Sequence, residues 1–144
     1  MRFGSVIAGA CVAALAWGVS VAPAHAANLD ANCDDNEVCL YKNSSFQATA
    51  GIHDRTSDDN DYDGNSFLNC SINCGLNDEV SSIRNTRNVQ MFFYQHRNGG
   101  GAKLHVAAEG SRANLAQDPL GADTWNDRIS SHCWLDTTRP VWCR

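Results

Sequence analysis

The chain has 144 residues and a formal net charge of −5. An acidic chain without clusters of lysine and arginine has no electrostatic attraction to nucleic acid or to anionic membranes, so neither is an expected partner. The length corresponds to one domain once a leader segment is removed, and a monomer is expected.

Residues 1–26 are predicted to be a secretory signal peptide. They contain a positive charge at Arg2, an apolar run from Val6 to Val21, and the small-x-small sequence Ala24-His25-Ala26. A membrane anchor would need about 20 continuous apolar residues, and this run is shorter. The mature chain, residues 27–144, is therefore predicted to be one secreted, extracellular domain.

Six cysteines remain after the predicted cleavage point. An even number in a short exported chain predicts three disulfides, whereas their spacings do not match the paired CxxC motifs of zinc sites. Sequence alone leaves the pairing open, and we favour three local pairs. These are Cys33 with Cys39, Cys70 with Cys74, and Cys133 with Cys143.

The first predicted strand is Val38 to Tyr41, which is followed by a polar turn. Phe46 comes five residues after Tyr41, so the chain can fold back and place the two rings together. The segment 54–63 contains five aspartates and is predicted to be a solvated loop.

Within that loop, Asp59, Asp61 and Asp63 match the first half of an EF-hand calcium loop. The second half does not match, because Cys70 occupies the position of the bidentate acid. A plain acidic surface loop is the favoured interpretation, and a further cation site is the alternative.

Val89 to Tyr94 has apolar residues on both alternating faces, which predicts a strand at the centre of a sheet. Leu104 and Val106 alternate with polar residues and predict the next strand. Short strands separated by clusters of Gly, Asn, Asp and Ser, without helical periodicity after residue 26, predict an all-β sandwich.

A repeated hexapeptide is the most informative pattern in the chain. Asn77-Asp78-Glu79-Val80-Ser81-Ser82 recurs as Asn126-Asp127-Arg128-Ile129-Ser130-Ser131, which indicates two copies of one structural unit. Each copy offers carboxylate, amide, hydroxyl and carbonyl oxygens, the ligands that calcium prefers. The alternative is a pair of turns capped by Asn and Ser side chains.

Each repeat follows a hairpin signature, with Tyr41 and Phe46 in the first unit and Tyr94 and Gly101 in the second. Together with the hexapeptides, these residues resemble the microbial βγ-crystallin superfamily. The segment from Cys33 to Tyr41, together with Asn77 to Asn85, is most similar to the actinobacterial branch named for a secreted metalloproteinase inhibitor, peptidase inhibitor family 36.

The resemblance implies two Greek-key motifs forming one disulfide-stapled βγ-crystallin-type sandwich. The first Greek key would span about 33–85 and the second about 88–134, with a short C-terminal strand to 144. The chain departs from the family pattern at Ala48, where a glycine is expected, and at Gly99, where an aromatic residue is expected.

The resemblance also implies two calcium sites, each built by both hexapeptide loops. Serine hydroxyls, third-position carbonyls, Asn and Asp side chains and a carbonyl after each hairpin tyrosine would supply the ligands. The implied residues are Asn77, Asp78, Glu79, Ser81, Asn126, Asp127, Arg128, Ser130, Lys42 and Gln95. Ser82 and Ser131 would brace the loops instead of binding the ion.

The implied function is inhibition of a secreted metalloprotease, with Ile72 in the ring Cys70 to Cys74 as a possible apolar anchor. The favoured interpretation of the ring itself is a staple beside the calcium loop. The alternatives are an extracellular calcium-stabilised module without a protease target, or a toxin or carbohydrate-binding protein that uses Trp125, Trp134 and Trp142. Motifs such as GxSxG and HExxH are missing, so an enzyme is not expected.

Overall fold

The computed structural model describes residues 28–143, so the predicted signal peptide lies outside the described residues. Four short 3-10 helices occur, at Ser44–Phe46, Ala48–Ala50, Arg97–Gly99 and Leu115–Gln117. Residues 28–143 contain no α-helix and no helix with the length and apolar character to span a bilayer. The strands are β1 Val38–Tyr41, β2 Ile52–Arg55, β3 Ser82–Asn85, β4 Met91–His96, β5 Gly100–Val106, β6 Ser111–Arg112, β7 Pro119–Leu120, β8 Asp123–Thr124 and β9 Ser131–Trp134.

These strands form two main antiparallel sheets with the orders β2-β1-β3-β6 and β5-β4-β9, and β7 pairs with β8. The strand predicted at the centre of a sheet, now bounded as β4, does lie between β5 and β9. Each sheet also takes a segment from the other half of the chain. β6 of the second half pairs with β3, and Asp59 of the first half forms a bridge with His132 in β9. The predicted all-β sandwich of two Greek keys is confirmed.

The core lies between the two sheets. Val80 and Ile129, the apolar fourth residues of the two hexapeptides, are both completely buried in it. Phe93 and Trp134 reach the same cluster from β4 and β9. Burial of a side chain of this size contributes about 1.5 to 3 kcal/mol, so each hexapeptide is held to the core by its own apolar residue.

All three predicted local disulfides are present, namely Cys33–Cys39, Cys70–Cys74 and Cys133–Cys143. The Cys33–Cys39 bond ties the start of the described chain to β1. The Cys133–Cys143 bond ties the C-terminal tail to β9. The Cys70–Cys74 bond closes a small loop ahead of the first hexapeptide.

The two hairpins pack their aromatic residues differently. The rings of Tyr41 and Phe46 meet edge to face with centroids 5.6 Å apart, as the sequence predicts. In the second hairpin, Gly99 replaces the aromatic residue, and Trp142 from the C-terminal tail packs edge to face on Tyr94 at 6.3 Å. The predicted short C-terminal strand was wrong over the described residues, because 135–143 form turns that deliver Trp142 to this position.

The prediction of a solvated loop at 54–63 was also wrong for part of the segment. Asp54 lies in β2 and is completely buried, Asp59 is 7% exposed, and Tyr62 is completely buried. The segment runs beside β9, where the Tyr62 amide donates to the Ser130 carbonyl at 2.9 Å. The five aspartates of this segment predict solvent exposure. In the structure the segment instead lies along the edge of the second sheet, and this contact buries part of it.

Candidate metal centre

The two hexapeptide loops lie side by side and exchange backbone hydrogen bonds. The Asp78 amide donates to the Ile129 carbonyl at 3.1 Å, and the Asp127 amide donates to the Val80 carbonyl at 3.2 Å. Both aspartates have left-handed backbones, with φ of 54° and 52°, a conformation that Asp and Asn tolerate better than most residues. The equivalent positions of the two repeats are therefore related by an approximate two-fold axis.

The fifth-position serine of each repeat faces the aspartate of the other repeat. Ser130 Oγ lies 3.2 Å from Asp78 Oδ1 and 3.0 Å from the Gln95 carbonyl. Ser81 Oγ lies 3.5 Å from Asp127 Oδ1. A carboxylate, a hydroxyl and a carbonyl oxygen from three segments of the chain thus converge on one point near Ser130.

The asparagines at the first position orient the neighbouring carboxylates. Asn77 Nδ2 donates to Asp78 Oδ2 at 3.1 Å, and Asn126 Nδ2 donates to Asp127 Oδ2 at 2.7 Å. Each bond occupies the Oδ2 oxygen and leaves Oδ1 directed toward the serine of the other repeat. Asn77 and Asn126 therefore position the carboxylates in this structure.

The carbonyls predicted after the hairpin tyrosines are placed by a matching pair of backbone bonds. The Ser81 amide donates to the Tyr41 carbonyl at 2.9 Å, and the Ser130 amide donates to the Tyr94 carbonyl at 3.0 Å. These bonds put Lys42 and Gln95, the next residues along, at equivalent positions beside the two serines.

The third-position side chains form ion pairs with neighbouring residues. Glu79 Oε2 lies 2.7 Å from Lys42 Nζ, and Arg128 Nη2 lies 2.8 Å from Asp123 Oδ2. The backbone carbonyls of Glu79 and Arg128 are therefore the atoms that these two residues can offer to an ion.

The last serine of each hexapeptide braces a hairpin, as predicted. Ser82 Oγ donates to the Asn43 carbonyl at 2.7 Å and accepts from the Phe46 amide at 3.1 Å. Ser131 Oγ donates to the His96 carbonyl at 2.8 Å and accepts from the Gly99 amide at 3.3 Å. Both hydroxyls are used within the fold.

The two positions differ in electrostatics and access. Partial burial raises the pKa of Asp127, and the negative charge of Glu79 raises it further, while its bond with Ser81 and the charge of Lys42 act in the opposite direction. A cavity of about 440 Å³ opens beside the Asp78–Ser130 pair. Its lining is Asp61, Asp63, Asn77, Asp78, His96, Arg97 and Ser130.

The donor set fits a hard cation. Carboxylate, hydroxyl and carbonyl oxygens are the ligands of calcium, whereas zinc and copper favour imidazole or thiolate. Within residues 28–143, no group of three or more His, Cys, Asp or Glu side chains could hold a metal ion. Any ion at these loops must therefore depend on serine hydroxyls and backbone carbonyls in addition to Asp78 and Asp127.

The EF-hand-like aspartates are not arranged as the further cation site that the sequence left open. Asp59 Oδ2 lies 2.6 Å from Arg55 Nη1 and accepts from Asn65 Nδ2 at 2.8 Å. Asp59 Oδ1 accepts from the Asp61 amide at 3.2 Å. Asp59 is therefore a structural residue, while Asp61 and Asp63 reach the cavity described above.

Ile72 lies at the tip of the loop closed by Cys70 and Cys74, and 73% of its surface is exposed. The loop is attached at its base, where the Phe67 amide donates to the Cys74 carbonyl at 2.7 Å. Lys42 Nζ also donates to the Asn73 carbonyl at 2.6 Å. Sequence reasoning considered only the Lys42 carbonyl, because residues 31 positions apart give no local signal of contact.

The chain matches a known protein family. The family model of peptidase inhibitor family I36 matches residues 26–106, which is more than half of the chain. That match covers the first hexapeptide and ends before the second. No protein of curated function matches the chain.

Solved structures of similar shape are βγ-crystallin domains. One, from work on the evolution of the eye lens βγ-crystallin domain fold, is 27% identical with a TM-score of 0.57, and covers 72% of this chain and 88% of its own. Spherulin 3a from Physarum polycephalum is 27% identical with a TM-score of 0.51, covering 72% and 85%. A βγ-crystallin from Ciona intestinalis, 17% identical with a TM-score of 0.51 and covering 68% and 98%, shares the fold. With its βγ-crystallin fold, this chain belongs to peptidase inhibitor family I36.

Proposed function

We propose that this protein is a secreted inhibitor of a metalloprotease, built on a βγ-crystallin domain that two calcium ions stabilise. The observation that carries the proposal is the exposed Ile72 on a disulfide-closed loop in a chain of an inhibitor family. Three disulfides are consistent with an oxidising, extracellular location. The family and the fold also point to a protein without catalytic activity.

A constrained loop suits an inhibitor for a physical reason. A flexible segment loses conformational freedom when it enters a protease cleft, and this loss opposes binding. The Cys70–Cys74 bond and the Phe67–Cys74 hydrogen bond remove much of that freedom in advance. Ile72 then offers an apolar side chain to a hydrophobic pocket of the protease.

Inhibition of a thermolysin-like metalloprotease by wild type, Ile72→Asp and Val141→Asp tests this role. Val141 is the matched control, because it is 76% exposed, close to the 73% of Ile72, but lies in the C-terminal tail. We expect Ile72→Asp to weaken inhibition at least about 100-fold, which is the loss expected for an anchor residue that becomes buried in the complex. Val141→Asp should leave inhibition unchanged. Equal inhibition by all three proteins would reject Ile72 as the anchor. If wild type inhibits no metalloprotease, the protein is instead a calcium-stabilised module without this target.

Calcium binding is supported by the convergence of Ser130 Oγ, Asp78 Oδ1 and the Gln95 carbonyl within 3.2 Å. Ser81 and Asp127 form the equivalent pair, for which the Lys42 carbonyl, at the position equivalent to Gln95, is the further ligand. Extracellular sites of this kind bind calcium at about 10⁻⁴ to 10⁻³ M.

Titration calorimetry and calcium-dependent melting of Ser81→Arg and Ser130→Arg test the two sites. A guanidinium at either serine places a positive charge where the ion would bind, so each variant should lose one equivalent of calcium and part of the melting shift. Ser111→Arg adds the same charge at an exposed serine in β6 and should retain both sites. Unchanged binding in both site variants would reject the assignment.

A further inference from the structure

Lys42 lies between the disulfide-closed loop and the first hexapeptide. Its ammonium group donates to the Asn73 carbonyl at 2.6 Å and to Glu79 Oε2 at 2.7 Å. The lysine side chain is 19% exposed and passes over the ring of Phe67, with Nζ 5.7 Å from the ring centroid. One side chain therefore contacts the loop that carries Ile72 and the hexapeptide that includes Ser81.

The backbone carbonyl of Lys42 is the proposed ligand of the Ser81–Asp127 site. Its position is equivalent to Gln95, whose carbonyl accepts a hydrogen bond from Ser130 Oγ. The Lys42 amide donates to the Gly51 carbonyl at 3.1 Å, so this stretch of backbone is held on both sides.

The second half of the molecule has an ion pair but no such connection. Arg128, the equivalent of Glu79, pairs with Asp123 in β8, and both side chains are about half exposed at 45% and 57%. A further bond from Arg128 Nη1 goes to the Asp127 carbonyl within the same hexapeptide. The link to the disulfide-closed loop is therefore a property of the first hexapeptide.

We propose that Lys42 couples calcium at the Ser81–Asp127 site to the order of the loop that carries Ile72. This inference rests on the proposed function. The Lys42 carbonyl would hold a calcium ion at this site and so restrain the lysine. Its ammonium, which Glu79 orients, would then hold the Asn73 carbonyl in place. By thermodynamic linkage, a protease that binds the ordered loop raises the affinity of this site for calcium.

Amide hydrogen exchange at Phe67, with and without calcium chloride, tests the coupling independently of inhibition. The Phe67 amide donates to the Cys74 carbonyl, so its exchange reports opening of the loop. We expect calcium to slow this exchange about twofold to fivefold in wild type, the range of a partly exposed ion pair. Lys42→Met keeps the backbone carbonyl and should abolish the effect of calcium on Phe67, while retaining a calcium-dependent melting shift.

Three further variants separate this coupling from a general loss of structure. Glu79→Gln should behave as Lys42→Met does, and Ser81→Arg should also abolish the effect on Phe67. Ser130→Arg should retain it, because it changes only the other site. Arg112→Gln should retain it as well, because its ion pair with Asp118 lies outside both hexapeptides. A calcium effect at Phe67 that survives in Lys42→Met, or that is missing in wild type despite a melting shift, would overturn the coupling.

Failure of the proposed function gives different results. If calcium does not shift the melting temperature of wild type, both the calcium sites and the coupling are rejected. If calcium slows exchange at Phe67 through Lys42 but wild type inhibits no metalloprotease, the coupling stands and the inhibitory role is rejected.

Discussion

His132 shows how a single buried side chain joins the two halves of the molecule. It lies in β9, is completely buried, and contacts the Tyr62 hydroxyl through Nδ1 at 2.7 Å. Its Nε2 lies 3.0 Å from the Ser57 carbonyl. A carbonyl only accepts, so Nε2 carries the proton and Nδ1 accepts from Tyr62. The neutral ring is thereby fixed in one tautomer between segments of the two Greek keys.

This environment predicts a loss of stability in acid. Burial lowers the pKa of His132 from 6.5 to about 3, so the unfolded chain binds a proton between these values while the folded protein does not. The stabilising contribution is complete above pH 6.5 and falls as the pH decreases, by about 1.4 kcal/mol per pH unit. Urea unfolding should show the stability advantage of wild type over His132→Gln shrinking from pH 7.5 to 4.5.

Tyr62→Phe is the control for that experiment. It removes the hydroxyl that bonds to His132 but keeps the buried imidazole, so the stability of this variant should keep most of the pH dependence of wild type. The comparison with His132→Gln is needed because Glu37 acts in the opposite direction. Burial raises the pKa of Glu37 to about 7, which lowers stability as the pH rises from 4.5. A constant difference between wild type and His132→Gln across the pH range would contradict the prediction.

At the scale of elements, the second hairpin depends on the C-terminal tail. Gly99 has a φ of 68°, and a Cβ there would collide with the Trp142 carbonyl oxygen. Trp142 packs on Tyr94, and the Cys133–Cys143 disulfide holds the tail against β9. The missing aromatic residue of the family pattern is thus compensated by a tryptophan 43 residues later in the sequence.

The substitution Gly99→Ala tests this packing, with Gly121→Ala as the matched control. Gly121 has a similar φ of 62°, but a Cβ there would meet no atom within 4 Å. Both variants should lose about 1 kcal/mol for the left-handed backbone. Gly99→Ala should lose about 1 to 3 kcal/mol more, because the added methyl group displaces the tail. Equal losses of unfolding free energy in the two variants would show that the C-terminal tail can move away from residue 99 without destabilising the protein.

At the scale of the whole molecule, the two Greek keys complete each other. The first sheet includes β6 from the second half, and the second sheet borders the segment at Asp59 from the first half. The core cluster takes residues from both halves, such as Leu40 and Phe93. Each half has only a small buried cluster of its own, and the main core is shared between the two halves.

A fragment of residues 88–143 is therefore expected not to fold alone. It would expose the buried faces of Phe93 and Trp134 and lose the Tyr62 and Ser57 partners of His132. A chain as short as this fragment buries a small fraction of its surface on folding, so its stability would be marginal even with a complete core. Circular dichroism and proton-nitrogen NMR should show cooperative unfolding for residues 28–143 and no such transition for the fragment. A cooperative transition in the fragment would show that the second Greek key is independent.

The sequence by itself determined the strands β1 and β4, the repeated oxygen-rich loops and the presence of three disulfides. These features follow from alternation, repetition and an even number of cysteines in a short exported chain. The pairing of the cysteines was open in the sequence and the bracing roles of Ser82 and Ser131 were implied by the family resemblance, so the structure decided both. The burial of Asp59 and Tyr62, the contact of Trp142 with Tyr94 and the bridge from Lys42 to Asn73 were decided only by the tertiary structure. Each of these contacts joins segments that are distant in sequence. Because each sheet takes a segment from the other half of the chain, residues whose sequence neighbours predict solvent exposure become buried against distant partners.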